Sequence, residues 1–286
     1  MTATTEPTEP AAPRGKARAV LEGLHLVKEY PVGPRRGLLR PQRRMRAVDD
    51  VSVSLARGRV TALVGQSGSG KSTLGRMLAR LVPTTSGAIR LDGRDVTAPG
   101  SIGQRTYVGD VQFTLQDPFA SLNPLRRVDY ILGRAVRIHQ DARGDEAARD
   151  RCRQLLERVG LTATDRYLDR FPHELSGGER QRVSFARALA ASPKVLIADE
   201  PVSMLDVTIR GEMLDLIDAL RRDEDLAVLY ITHDLGSARR YSNEVLVMNE
   251  GRIVESGEST EVIDDPQHEY TRRLLAAAPN PTSRMG

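Results

Sequence analysis

The sequence is poor in cysteine, in aromatic side chains and in long apolar runs. Cys152 is its only cysteine in 286 residues. A single thiol excludes an internal disulfide and any metal cluster held by several cysteines. Cys152 falls at helical spacing with Leu155, Leu156 and Val159, so a buried structural thiol is expected rather than a reactive one. Tryptophan is absent and aromatics make up 4%, which argues against a nucleic-acid protein built on base stacking. No stretch approaches the ~20 apolar residues of a membrane-crossing helix. The apolar run from Leu226 to Ile231 is far shorter. No apolar core of a secretory signal stands near the N-terminus. The net charge of +4 is too small to imply nucleic acid by itself. These absences point to the cytosol. With 40% hydrophobic residues, the chain can build the core of one large domain or two small ones.

What is present centres on Gly65-Gln66-Ser67-Gly68-Ser69-Gly70-Lys71-Ser72-Thr73. Every fixed position of the phosphate-binding loop G-x-x-x-x-G-K-[ST] is met. Before it, Arg59 to Val64 reads as a short buried strand. After it, Leu74, Met77, Leu78 and Leu81 recur at helical spacing. The loop therefore joins a strand end to a helix start, where free backbone N–H groups and the helix dipole favour a polyanion. Lys71 is expected to reach the β- and γ-phosphates, and the Ser72 hydroxyl to ligate Mg²⁺.

Around this centre the chain divides by composition and period. Residues 1–19 are rich in Pro, Thr, Glu, Ala and Arg without periodicity and read as a disordered tail. Val20 to Val27 is a strand leading into Lys28-Glu29-Tyr30. Pro31 to Arg46 carries Arg35, Arg36, Arg40, Arg43, Arg44 and Arg46 and reads as a basic loop. It would contact anionic headgroups or a nearby nucleotide, or be a solvated insertion. Ala47 to Leu55 alternates as a half-buried strand. Ala88 to Leu91 is another, and these early strands are expected to be antiparallel. From Val128 the period becomes helical, with a second helix from Ala148 to Val159 stopped by Gly160. Residues 117–175 thus form a helical insertion. Val183 to Ala190 continues as helix. Strand Val195 to Ala198, helix Ile209 to Leu220 and strand Leu226 to Ile231 follow, then a hairpin about Asn249-Glu250-Gly251. Strands alternating with helices predict an α/β fold with a mainly parallel sheet. There is no internal repeat and one phosphate loop.

Leu175-Ser176-Gly177-Gly178-Glu179 resembles the signature of the ATP-binding cassette (ABC) family, with Glu179 where glutamine is common. Ser176 and the glycines open a helix, a second anion site of backbone N–H groups. Lys194 to Ala198 is an apolar strand ending in Asp199-Glu200. Asp199 resembles the family's Mg²⁺-supporting aspartate, and Glu200 its catalytic base. Gln116 resembles the family's metal- and water-sensing glutamine, Asp206 its D-loop aspartate, and His233 the histidine that contacts the γ-phosphate. Tyr30 is the candidate for stacking on adenine. The resemblance runs from Val20 to about Pro279.

The resemblance implies a P-loop NTPase core at 20–258, with a mainly parallel sheet, an antiparallel β subdomain and the helical insertion. Gln116 to Pro124, Phe171 to Glu174 and Asp265 to Leu275 are similar to the oligopeptide/dipeptide branch of ABC importers, making 259–286 a C-terminal extension of that type. No iron–sulfur centre is expected in it. Implied are ATP and Mg²⁺ as cofactors, two transmembrane permease subunits, a second ATPase subunit (identical or paralogous) and, indirectly, an extracytoplasmic substrate-binding protein. No nucleic-acid partner is expected. The place is the cytoplasmic face of the membrane, and the Gln116-to-Asn123 segment is expected to touch the permease. Peptide is the favoured cargo, with nickel, opines or oligosaccharides as alternatives. ABC ATPases acting on DNA or ribosomes are the rival readings.

Overall fold

The computed structural model describes residues 19–33, 43–98, 100–115, 122–140, 142 and 144–277. The expected tail therefore lies outside the described residues, except that Ala19 already belongs to strand β1 (Ala19–Pro31). β1 pairs antiparallel with β2 (Arg44–Ala56) and with β4 (Ser86–Leu91), and β4 with the short β5 (Arg94–Asp95). This is the expected antiparallel subdomain. Pro31, Arg44 and Arg46, read as loop, are instead strand residues. Cross-strand pairing of Tyr30 with Met45 and of Pro31 with Arg44 extends the ladder. Arg35, Arg36 and Arg40 lie outside the described residues.

The larger sheet has the order β10-β9-β3-β8-β7-β6. β3 spans Val60–Val64, β6 Val111–Thr114, β7 Val195–Asp199, β8 Ala227–Thr232, β9 Glu244–Asn249 and β10 Arg252–Glu258. All neighbours pair in parallel except β10, which folds back on β9. β6 and helix α2 (Gln104–Asp110) carry no clear apolar period, and the sequence reading passed over both.

The central strands are apolar at nearly every position because both faces of the sheet are covered. Along β8, Val228 and Tyr230 join one buried cluster, while Ala227, Leu229 and Ile231 join the other. Successive side chains point to opposite faces, so one strand serves two cores. The second cluster includes α1 (Lys71–Leu78) and strands β1, β2 and β4. α1 is shorter than the leucine spacing predicts: Arg80 takes φ +54° and Leu81 is 54% exposed.

The first cluster holds the helical insertion, built from α3 (Val128–His139), α4 (Asp145–Arg158) and α5 (Thr164–Leu168). A 3₁₀ turn at Pro172–Glu174 leads to α6 (Gly177–Leu189). Cys152 is fully buried among these helices, and burial pushes its thiol up to about 12. It is structural, as its spacing implied. α7 (Val207–Glu224), α8 (Leu235–Tyr241), α9 (Ser259–Asp264) and α10 (Glu269–Ala277) complete the described helices. None of the described helices is long and apolar enough to cross a membrane.

Phe185 on α6 is wholly buried in the first cluster. Phe185→Ala is expected to cost about 3–5 kcal/mol of folding stability through the lost burial and the cavity left behind. Denaturant unfolding checks this, and a loss below ~1 kcal/mol would contradict the packing described.

Candidate functional site

The parallel register sets the site. Val64 at the end of β3 pairs with Thr232 at the end of β8, and Ile231 pairs with Asp199 at the end of β7. The loops after β3, β7 and β8 therefore leave from one edge. Ligands in open α/β sheets bind at such carboxyl ends.

The phosphate loop fills the space between β3 and α1. Gly70 has φ +108°, and a Cβ there would sit 2.2 Å from the carbonyl oxygen of Ala47. Gly65 is as constrained, with φ +150° and a virtual Cβ 2.2 Å from the Met248 carbonyl oxygen. Neither position tolerates a side chain without backbone movement. Lys71 is buried, and its Nζ donates to the carbonyl oxygens of Gly65 and Gln66, both at 2.8 Å. Burial pulls its ammonium below the usual value, against the neighbouring charges of Glu200 and Asp199. The lysine is thus held by the loop it belongs to.

Ser72 Oγ donates to Asp199 Oδ1 at 3.0 Å, across 127 residues of sequence. This joins the first turn of α1 to the end of β7. Glu200, the next residue, takes φ +45°. Its N–H donates to the Ile231 carbonyl at 2.9 Å, and its own carbonyl accepts from Ser203 Oγ at 3.1 Å. A non-glycine residue in this region costs of order 1 kcal/mol and persists where its surroundings over-determine it. His233 Nδ1 lies 3.3 Å from Glu200 Oε1, with the imidazole 63% exposed.

A cavity of about 580 Å³ opens over the loop. Ser67, Gly68, Gly70, Lys71, Ser72, Thr73 and Glu200 form its floor, and Tyr30 stands in its wall. Of the remaining predicted residues, Gly65 and Ser69 are buried beneath the loop and Gln66 is exposed beside it. Gln116 lies outside the described residues. Asp206 is exposed at the N-terminus of α7.

Ser176, Gly177, Gly178 and Glu179 do not line this cavity. They form the start of α6. Ser176 Oγ accepts from the Glu179 N–H at 3.3 Å, while Glu179 Oε2 accepts from the Ser176 N–H at 2.8 Å. This reciprocal pair is a capping box. Glu179 Oε1 accepts from the Tyr167 hydroxyl at 2.9 Å. Burial raises the Glu179 carboxyl, but these hydrogen bonds outweigh it and hold it below the usual value. The glutamate in place of glutamine thus has full local partners.

Several lining residues escaped the sequence reading. Met45, Arg46, Ala47, Glu250 and Gly251 complete the cavity. Arg46, expected in a basic loop, is a strand residue that lines the cavity. Its Nη1 donates to Asp49 Oδ1 at 2.8 Å, and the Asp49 N–H donates to the Gly251 carbonyl at 2.8 Å in the β9–β10 turn. There Gly251 N–H donates to the Ser69 carbonyl at 2.9 Å. No local pattern marks the lining as a whole, since Tyr30, Met45 to Ala47, the phosphate loop and the β9–β10 turn lie in different parts of the chain.

Burial pushes the Asp199 carboxyl above its usual 3.8, although the Ser72 hydroxyl and Arg76 pull the other way. The folded chain therefore holds this proton more tightly than the unfolded chain. Stability falls as pH rises through the interval above 3.8. Asp199→Asn removes that slope in the nucleotide-free protein. The variant should gain on wild type as pH climbs, with the gap closing in acid below 3.8. Thermal unfolding across pH reads this directly, and parallel curves would contradict it.

Comparison with known proteins agrees with this geometry. Residues 48–203 match the family model described as ABC transporter. The chain is 47% identical over 263 residues to the glutathione import ATP-binding protein GsiA of Escherichia coli K12, and 45% over 261 residues to that of Salmonella typhimurium. Each match covers 91% of this chain, which spans 41% of the length of those relatives. Among solved structures, cbiO1 from Clostridium perfringens, part of the ABC transporter complex cbiONQ, superposes with a TM-score of 0.72 at 27% identity. That match covers 86% of this chain and 91% of cbiO1. The dimeric bacterial ABC transporter cassette MJ0796 gives 0.72 at 24% identity, covering 84% and 98%. A sheet that brings the phosphate loop, Asp199-Glu200 and His233 to one edge, with the helical insertion leading into the signature helix, carries the same conclusion as these matches: the chain belongs to the ABC transporter family.

Proposed function

We propose that the chain is the ATP-binding and ATP-hydrolysing subunit of a membrane importer. The observation that carries this reading is the Ser72–Asp199 contact. It joins the phosphate loop to a buried carboxylate, with Glu200 beside it at the cavity floor. The Ser72 hydroxyl and the Asp199 carboxylate are hard oxygen donors, a set that suits Mg²⁺. Gln116, the third expected donor, lies outside the described residues. When bound, ATP with Mg²⁺ supplies the reactive γ-phosphoryl group and spreads its charge.

The chain's own residues do the rest. Tyr30 offers the adenine a ring face at the cavity wall. Residues Gly65 to Thr73 wrap the phosphates with backbone N–H groups. Lys71 moves its ammonium from the Gly65 and Gln66 carbonyls to phosphate oxygens. Glu200 orients the attacking water and takes its proton, and His233, already in contact with Glu200, holds the γ-phosphate side. Ser176 to Glu179, which do not line this cavity, serve the ATP of a second ATPase subunit. Residues 20–258 form the ATPase domain, and the chain beyond forms an extension.

Two permease subunits would receive the motion, and an extracytoplasmic binding protein would deliver cargo. The chain would work at the cytoplasmic face of the membrane. Phe119 lies outside the described residues, and Leu122, expected at the permease contact, is 2% exposed in the core. Leu125, 82% exposed, and Tyr130, 45% exposed, are the better candidates. The relatives are named for glutathione import. Glutathione is a tripeptide, which supports peptide cargo.

Lys71→Ala should cost ~2.7–4 kcal/mol of barrier, the loss typical of one preorganised charge stabiliser. ATPase assay of the assembled transporter measures it, and wild-type turnover would overturn the assignment. Glu200→Gln keeps shape and removes the base, so it should accumulate an ATP-bound dimer, alone or with its paralogue. Light scattering with Mg-ATP detects that species. A second change, Ser176→Arg, should abolish a homodimer or cripple the one site that Ser176 faces in a heterodimer. A Glu200→Gln chain that stays monomeric in both preparations contradicts the shared-site mechanism.

A further inference from the structure

We infer that Tyr270 is a positioning residue for the phosphate loop, through which helix α10 sets nucleotide affinity. The inference rests on the ATPase reading above and deepens it. Tyr270 lies on α10, is 7% exposed and packs against the first core cluster. Its hydroxyl oxygen accepts a hydrogen bond from the Gln66 N–H at 3.1 Å, across 204 residues of sequence.

The segment that presents Tyr270 is itself held. The Glu255 carboxylate on β10 accepts from the N–H groups of Gln267 at 2.7 Å and His268 at 3.2 Å. His268 Nδ1 accepts from the Tyr270 N–H at 3.1 Å, and Arg272 Nε donates to the Pro266 carbonyl at 3.0 Å. A phenol placed by this many bonds is a fixed acceptor rather than a passing contact.

The partner matters more than the bond. Gln66 N–H belongs to the Gly65–Gln66 peptide group, whose carbonyl end accepts from Lys71 Nζ at 2.8 Å. That rigid plane is therefore held at both ends, by the lysine and by the tyrosine. Gly65, with φ +150° and no side chain, supplies little resistance to its rotation. When Lys71 turns to the phosphates, the carbonyl end is released. Tyr270 then becomes the remaining anchor of that plane. The loop keeps the shape that directs its later N–H groups at the anion, instead of having to re-form it on binding.

The test uses Tyr270→Phe, which keeps the ring and removes the hydroxyl. Loss of one net hydrogen bond should weaken Mg-ATP binding by roughly 2- to 10-fold, and Mg-ADP equally, since the loop's β-phosphate site is common to both. Turnover at saturating ATP should change less than about twofold, because Tyr270 touches no reacting atom. Gln66→Pro removes the donor itself, and Gln66 is not among the positive-φ residues. In that background Tyr270→Phe should add nothing further, a coupling that general loss of packing would not show. Unchanged affinity in Tyr270→Phe, or losses that simply add in the double variant, would overturn the inference and leave the ATPase reading intact. A wild-type chain that binds no Mg-ATP would overturn the ATPase reading itself.

Discussion

The parallel ladder through β7, β8 and β3 brings three strand ends to one edge of the sheet, and the chemistry sits where they stop. Val64 lies well over a hundred residues before Asp199 and Thr232 in sequence, yet backbone pairing places all three within two strand spacings. A shift of one residue in that ladder would turn every side chain to the other face. It would carry Asp199 away from Ser72. β3, β7 and β8 are buried along their whole lengths on both faces, so the register is held by the fit of the side chains packed on each face.

Much of this was legible beforehand. The runs of β7 and β8 are apolar up to Asp199 and Thr232 at their ends, apart from the Tyr230 hydroxyl, and the spacing of glycines around Lys71 admits few other structures. The helices of the insertion announced themselves by period, and Cys152 by its neighbours. What stayed hidden depends on long-range partners. β6 is only four residues long, Val111–Thr114, too short for its alternation to stand out, and α2 has only Tyr107 and Val108 as apolar positions. Arg44 and Arg46 looked like loop because charge and proline suggest solvent. Their strand character comes from pairing with β1, and their charge is met by Glu29 and Asp49. Leu81 kept the helical spacing but lies past the αL turn at Arg80. Tyr270 could not be tied to the loop at all, since nothing near it in sequence names Gln66 as its partner.

Lys71 shows how a buried cation is tolerated before any anion arrives. Two carbonyl oxygens of its own loop accept its protons, so the charge is solvated by backbone dipoles rather than by water. An anion that takes over this lysine replaces one set of acceptors with another. The gain is the difference between the two sets, and the released carbonyls must find other partners or face solvent.

The capping box at the head of α6 has a consequence for charge. Both oxygens of Glu179 are turned back into their own subunit, one to Tyr167 and one to Ser176. Two of the helix's opening amides, those of Ser176 and Glu179, are already spent on the box. The amides of Gly177 and Gly178 have no partner within the helix by geometry. The start of α6 thus keeps two amides outside the box, while its carboxylate stays ionised under hydrogen bonds from Tyr167 and Ser176. A carboxylate in the first turn is favoured by the positive end of the helix dipole as well as by its two hydrogen bonds, a gain that a neutral glutamine would not share in full.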